Sequence, residues 1–290
     1  MHMNSTGGFN HELLFSETMN PPPGLFFRLT AGFRILPDFF IIGVQKGGTN
    51  SLYHYLTRHP QIIPAQRKEI YFFNNENNFE KGLAWYRKHF ALNSRRKKQE
   101  KKNNCRAFTL DATTNYFENT EAAIRLKKTF PDAKAILLLR NPVERAWSHY
   151  KMSVQYGFEK LGFEEALAVE DERLKNASQY KGANPKHDYV FQRLAYRTKG
   201  IYMNYLPAWQ EKFGKDLLVL RSEDFFSDEA IVYGNVLQFL GLKDFRPPAF
   251  ETVNAGTNEQ MKAETRKMLQ EFYEPHNGEL KKFTGRDFNW

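Results

Sequence analysis

Residues 38–58 constrain this chain more than any other stretch: Asp-Phe-Phe-Ile-Ile-Gly-Val-Gln-Lys-Gly-Gly-Thr-Asn-Ser-Leu-Tyr-His-Tyr-Leu-Thr-Arg. Phe39 to Val44 is a short, continuous apolar run, which suits a strand buried on both faces of a parallel sheet. Gly43, Gly47 and Gly48 then let the backbone turn tightly and approach a ligand closely. Thr49 and Ser51 bring hydroxyls to a helix start, and Leu52, Tyr53, Tyr55 and Leu56 continue at helical spacing. A strand, a glycine turn with a lysine and a helix N-terminus form an anion site, because unpaired N–H groups and the helix dipole converge on the turn. The order of residues departs from the nucleotide-kinase loop G-x-x-x-x-G-K-S/T, whose lysine follows the last glycine. Here Lys46 precedes Gly47 and Gly48, and Thr49 follows them. The plainer alternative is an ordinary tight turn with a solvated lysine.

A second strand-to-helix junction lies about 90 residues downstream. Ala133 to Leu139 is strongly apolar and runs into Arg140-Asn141-Pro142-Val143-Glu144-Arg145-Ala146-Trp147-Ser148-His149-Tyr150. Pro142 suits the first helical position. Arg140 at the strand end and Ser148 two turns along the helix can reach one phosphate, the first with a forked guanidinium and the second with a hydroxyl. The alternatives are a strand-end salt bridge for Arg140 and a structural role for Arg145.

Together the two junctions resemble sulfotransferases that use 3′-phosphoadenosine 5′-phosphosulfate (PAPS), in the heparan-sulfate-type and bacterial branch. Their 5′-phosphosulfate loop reads roughly I-I-G-x-x-K-x-G-T-T/S-x-L, matched by Ile41 to Leu52. Their 3′-phosphate motif reads R-N/D-P-x-x-R-x-x-S-x-Y, matched by Arg140 to Tyr150. The resemblance covers about residues 37–290 and includes G-x-Y-x-x-x-L-x-x-W at Gly200–Trp209 and F-Y-x-P-x-N…G-x-D-F-x-W at the end. It implies PAPS as donor, 3′-phosphoadenosine 5′-phosphate (PAP) as product and no metal. It assigns Lys46 to the reacting sulfuryl group, and Lys46, Gly47, Gly48, Thr49, Asn50 and Ser51 to the 5′-phosphate. Arg140 and Ser148 fall on the 3′-phosphate. Tyr202, and Gly256 and Thr257 in the loop before the last helix, are further cofactor candidates.

Arg67-Lys68-Glu69-Ile70-Tyr71-Phe72-Phe73 sets an acidic residue beside dense aromatics. The bland reading is a surface Lys–Glu pair ahead of a core segment. The functional one is a carboxylate near apolar walls, where lost solvent makes a stronger base. Heparan-type enzymes carry E-x-x-F-F here, and the resemblance makes Glu69 the general base. Asp111 stands where a K-x-P-x-Y pattern has its lysine, which leans the acceptor away from heparan-like polymers and makes Asp111 a second acid–base candidate. His149 is a third, although a histidine between Trp147 and Tyr150 suits a packed role.

The expected fold is α/β: one domain over 37–290, with a central parallel sheet flanked by helices and a P-loop-like anion loop, preceded by an N-terminal extension over 1–36. Hydrophobic content of 41% and charged content of 26% suit a soluble globular protein. The formal charge of +9 favours anionic partners. Much of it sits in Arg95-Arg96-Lys97-Lys98-Gln99-Glu100-Lys101-Lys102, read as an exposed, flexible insertion over about 94–104. With a single cysteine, Cys105, no disulfide is possible within the chain. No leader or spanning segment is evident, and a cytoplasmic location is expected. The expected partner is a small-molecule, glycan or carrier-bound acceptor, without nucleic acid. Two rivals remain: a nucleotide kinase, against which the lysine order argues, and a non-enzymatic nucleic-acid binder, for which no recognised module is present.

Overall fold

A computed structural model describes residues 29–178, 185–247 and 260–290. Five strands, β1 (Phe39–Gly43), β2 (Ile62–Pro64), β3 (Phe108–Ala112), β4 (Lys134–Leu139) and β5 (Leu217–Arg221), form one parallel sheet in the order β2-β3-β1-β4-β5. The α/β class and the central parallel sheet expected from the sequence are both present.

Alternation along the strands divides the core. Phe40 and Ile42 of β1 and Ala135, Leu137 and Leu139 of β4 face one layer, built from Phe72, Phe73, Tyr86, Leu126 and Trp209. Phe39 and Ile41 of β1 and Ile136 and Leu138 of β4 face the other, built from Leu52, Tyr55, Leu56, Phe225 and Val236. Both faces of β1 and β4 are therefore covered, which is why these strands read as unbroken apolar runs. Each large side chain so buried contributes about 1.5–3 kcal/mol.

The crossovers use opposite faces. Helix α1 (Thr49–Arg58) follows β1 and packs in the second layer. Short helices α2 (Gly82–Arg87) and α3 (Asn93–Asn103) lie between β2 and β3. Helix α4 (Thr120–Thr129) packs in the first layer and carries the chain from β3 across β1 to β4. Chain direction thus reverses beside β1, and in open α/β sheets ligands bind outside the carboxyl ends of the strands at such a switch point. Helix α5 (Pro142–Gln155) leaves the end of β4, with the Asn141 side chain accepting from the N–H groups of Val143 and Glu144. It packs against Phe163, Tyr196 and Tyr273, the last from the long C-terminal helix α12 (Ala263–Thr284). Before α12 come α6 (Phe163–Ala168), α7 (Glu170–Ser178), α8 (Pro185–Leu194), α9 (Leu206–Phe213), α10 (Ser222–Ser227) and α11 (Glu229–Leu240).

The basic stretch, expected as an exposed insertion, forms the helix α3, with Arg95, Lys97, Lys98, Lys101 and Lys102 exposed. Lys, Arg, Gln and Glu are good helix formers, and one face is docked. Arg96 pairs with Asp38 at 2.6 Å, Gln99 and Asn103 donate to the Pro60 carbonyl at 2.6 and 2.7 Å, and Glu100 accepts from the Ala107 N–H at 3.0 Å.

Candidate active site

The loop from β1 to α1 is held by its carbonyl groups, which leaves N–H groups free. Arg140 donates to the Lys46 carbonyl at 2.9 Å, and the Ser222 hydroxyl donates to the Gly47 carbonyl. The Val44 N–H donates to Leu138 O at 3.0 Å, and the Gly47 N–H to Val44 O at 2.9 Å. Gly47 has no room for a side chain: a Cβ would stand 2.6 Å from Leu138 O. Gly48, with φ of 89°, is the left-handed residue from which α1 starts. No side chain caps α1. Among the described residues nothing accepts from the N–H groups of Thr49, Asn50 or Ser51, although Thr49 and Ser51 are buried. A buried helix start without a cap calls for an outside partner, and the dipole makes that partner an anion.

The cations nearby make the same demand. Burial, followed by the like charges of Arg140 and Lys151, pushes the Lys46 ammonium below its ordinary range. Burial likewise lowers Arg140, against the raising effect of Glu144 and Glu223. Ser148 is half-buried on α5, and among the described residues no group hydrogen-bonds its hydroxyl. An anion on this loop would relieve the crowding of positive charge and satisfy the open donors.

Glu69 lies on the segment after β2. Its Oε1 accepts from the Thr114 N–H at 3.1 Å and the Thr114 hydroxyl at 2.5 Å, and Tyr71 also bonds it. Lys68 donates to Asn50 of α1 and lies over the Tyr53 ring at 5.5 Å, while still feeling the charge of Glu69. The two residues are thus tied to different elements and are not a solvated surface pair. Lys68 joins the Glu69 segment to the helix that follows the anion loop.

Other sequence candidates take different places. Asp111 is 1% exposed and accepts from Tyr86 at 2.7 Å, Tyr116 at 2.8 Å and Thr113 at 2.8 Å. Its carboxylate is spent on the core. Counted back from Tyr116, the pattern K-x-P-x-Y begins on Ala112, so alanine replaces that lysine. Asp111 lies one residue earlier, on the opposite face of β3. His149 is also enclosed: its Nε2 lies 3.0 Å from the Gln192 carbonyl and its ring abuts Tyr196. Burial, then the charges of Lys199 and Arg145, holds it well below the usual histidine range, so it stays neutral. Tyr202 is buried and donates to the Arg140 carbonyl at 2.6 Å, bracing the end of β4. Gly256 and Thr257 lie outside the described residues.

Sequence reasoning missed two supports. Lys199 is fully buried, donates to Gln45 Oε1 at 3.0 Å and Asn115 Oδ1 at 3.1 Å, and pairs with Glu118 at 3.2 Å. It links the anion loop to the turn that carries Thr114. Its one sequence signal is its place before the Gly200–Tyr202 motif. Ser222, which holds the Gly47 carbonyl, gives none. Among the described residues no cluster of His, Cys, Asp and Glu could hold a metal ion.

A parallel sheet with an uncapped helix start after β1, and with Arg140 at the end of the neighbouring β4 bonded to the same loop, is the architecture of an α/β protein that binds phosphorylated ligands. Residues 37–247 match the sulfotransferase family model, and the chain belongs to the sulfotransferase family. Human heparan sulfate glucosamine 3-O-sulfotransferase 3A1 is 30% identical, over 95% of this chain and 68% of its own. Membrane-associated sulfotransferase kil1 of Dictyostelium discoideum is 27% identical, over 88% of this chain and 66% of its own. The crystal structure of a sulfotransferase from Alicyclobacillus acidocaldarius superposes with a TM-score of 0.66 at 29% identity, covering 87% of this chain and 97% of that one. The chain is a transferase of this family, whose general donor is PAPS. It spans about two thirds of the length of the two curated relatives.

The relatives correct one expectation. A cytoplasmic location does not stand, because the Dictyostelium relative is membrane-associated. That expectation rested on the lack of a leader or an apolar segment in a stretch that corresponds to about two thirds of these relatives' length. Among the described residues no helix is long and apolar enough to cross a membrane.

Proposed function

We propose that this site transfers the sulfuryl group of PAPS in line to a sugar hydroxyl, with Glu69 as general base. When bound, PAPS supplies a sulfuryl group on a phosphate leaving group. The N–H groups at the start of α1, with the Thr49 and Ser51 hydroxyls, hold the 5′-phosphate. Arg140 and Ser148 hold the 3′-phosphate. Lys46 offsets the negative charge that gathers on the bridging oxygen as transfer proceeds. Glu69, oriented through Oε1 by Thr114, removes the acceptor proton. A glycan acceptor is supported by the human relative, whose name specifies heparan sulfate glucosamine. The observation that carries this reading is the buried, uncapped start of α1 beside Lys46, with Arg140 bonded to the same loop.

The test is titration calorimetry with PAP, AMP and ATP, followed by turnover of PAPS with a glucosamine-containing oligosaccharide. PAP should bind at least tenfold tighter than AMP, about 1.4 kcal/mol. Glu69→Gln should keep PAP affinity and lose turnover. Equal binding of AMP would remove the 3′-phosphate site, and an unchanged rate for Glu69→Gln would move the base elsewhere.

A further inference from the structure

Helix α3 has two faces. Arg96, Gln99, Glu100 and Asn103, at helical spacing, are turned to the body of the protein. Arg95, Lys97, Lys98, Lys101 and Lys102 are exposed, and no ion pair holds any of the five among the described residues. The docked face shows where the helix sits. Arg96 and Arg106 bond Asp38, immediately before β1, at 2.6 and 3.0 Å. Gln99 and Asn103 bond Pro60, just before β2. Helix α3 therefore lies at the amino ends of the strands, whereas Lys46 and Arg140 follow the carboxyl ends of β1 and β4. A five-residue strand separates the two poles by about 17 Å. Exposed Lys243 adds charge at the same pole, its N–H bonded to Gln61.

Exposed apolar side chains lie on the segment that pairs with the residue before α3. Leu29 and Phe33 are each 74% exposed. Phe33 adjoins Arg34, whose backbone pairs with Leu92, the residue before α3. Unpaired cations on flexible stems beside protruding apolar side chains suit a flat surface that is negatively charged outside and apolar beneath. The five cations are not interleaved with aromatic side chains that could stack on bases.

We propose that α3, with Leu29 and Phe33, docks this protein on an anionic lipid bilayer, leaving the donor site at the far pole open to acceptor. The attraction is electrostatic and salt-screened, and each cation removed weakens it about fivefold.

Cosedimentation of the 290-residue chain with vesicles of phosphatidylcholine, alone or with phosphatidylserine, at low and high salt, tests this. The parent should bind the phosphatidylserine vesicles and be released by salt. The triple variant Arg95→Glu, Lys98→Glu, Lys102→Glu, which removes three cations and adds three repelling charges, should lose at least about a hundredfold in vesicle affinity. Its PAP affinity should match the parent's, which shows that it is folded and that the donor site is independent. Phe33→Ser should weaken binding several-fold and leave the salt dependence. Equal binding to neutral vesicles, undiminished binding by the triple variant, or retention on RNA or polyglutamate without vesicle binding would overturn the proposal.

Discussion

Asp111 carries a carboxyl group that three hydroxyls do not fully compensate. Burial raises its pKa from 3.8 to about 6, although the hydrogen bonds from Tyr86, Tyr116 and Thr113 pull it down, and the charge of Glu69 adds to the rise. In the unfolded chain the group releases its proton near 3.8, and in the folded protein near 6. Between those values the folded state holds more protons, so this group's contribution to stability falls as pH rises. Well below pH 3.8 both states are neutral and there is no penalty; above about pH 7 nearly the whole penalty is present. At 1.36 kcal/mol per unit it amounts to about 3 kcal/mol. Asp111→Asn keeps the shape and abolishes the titration, and the hydroxyls of Tyr86, Tyr116 and Thr113 can rotate to meet an amide. Its offset from the parent contains a constant term for the altered hydrogen bonds. On top of that, the offset should move in favour of the variant by about 2.4 kcal/mol between pH 4 and pH 7. Urea unfolding of both proteins at several pH values, extrapolated to water, measures the difference directly. An offset that stays level across this range would show that Asp111 bears its charge without penalty, and the account of the cluster would be wrong.

Three other substitutions test separate parts of the structure. Lys199→Met leaves Glu118 buried without its cation and strips Gln45 and Asn115 of a donor; the cost should be about 3–5 kcal/mol in urea unfolding, and a change near zero would refute the linkage. His89 is pushed down to about 3 by burial first, then by Lys88 and Arg67, so its share of stability is lost as pH falls below the unfolded value of 6.5. His89→Phe should gain on the parent by about 1.4 kcal/mol per pH unit between pH 6 and 5, and thermal unfolding at the two values decides it. Arg140→Ala should weaken PAP binding about a hundredfold and AMP binding, through the loosened Lys46 carbonyl, by much less; equal losses for both nucleotides would place Arg140 away from the 3′-phosphate.

The parts legible in the sequence were those that short spacing encodes. The apolar runs of β1 and β4 imply burial on two faces, and the glycines and Pro142 mark the turns, so both strand-to-helix junctions lie where expected. β2, only three residues from Ile62 to Pro64, is too short to show a period. Helix α3 was hidden because a run of charges looks the same in a solvated loop, and only the positions of Asp38 and Pro60 show which face is docked. Lys199 and Ser222 were illegible for another reason. They meet Gln45 and Gly47 across 154 and 175 residues, and no local pattern records such a contact. Asp111 was visible as a carboxylate on a strand, but its fate depended on Tyr86 and Tyr116, contributed by other elements.

β1 and β4 are direct neighbours in the sheet, with Phe39 opposite Lys134 and Gly43 opposite Leu137. The loop that follows one and the arginine that follows the other are therefore fixed by main-chain pairing, and the gap between them belongs to the backbone like the jaws of a caliper. On the proposed function, a donor phosphorylated at both ends would close the second contact as an intramolecular event, at an effective concentration set by that rigid gap. A nucleotide with phosphate at one end alone would touch a single jaw. The pairing of two strands would thus set the length of donor that Arg140 and the loop can span together.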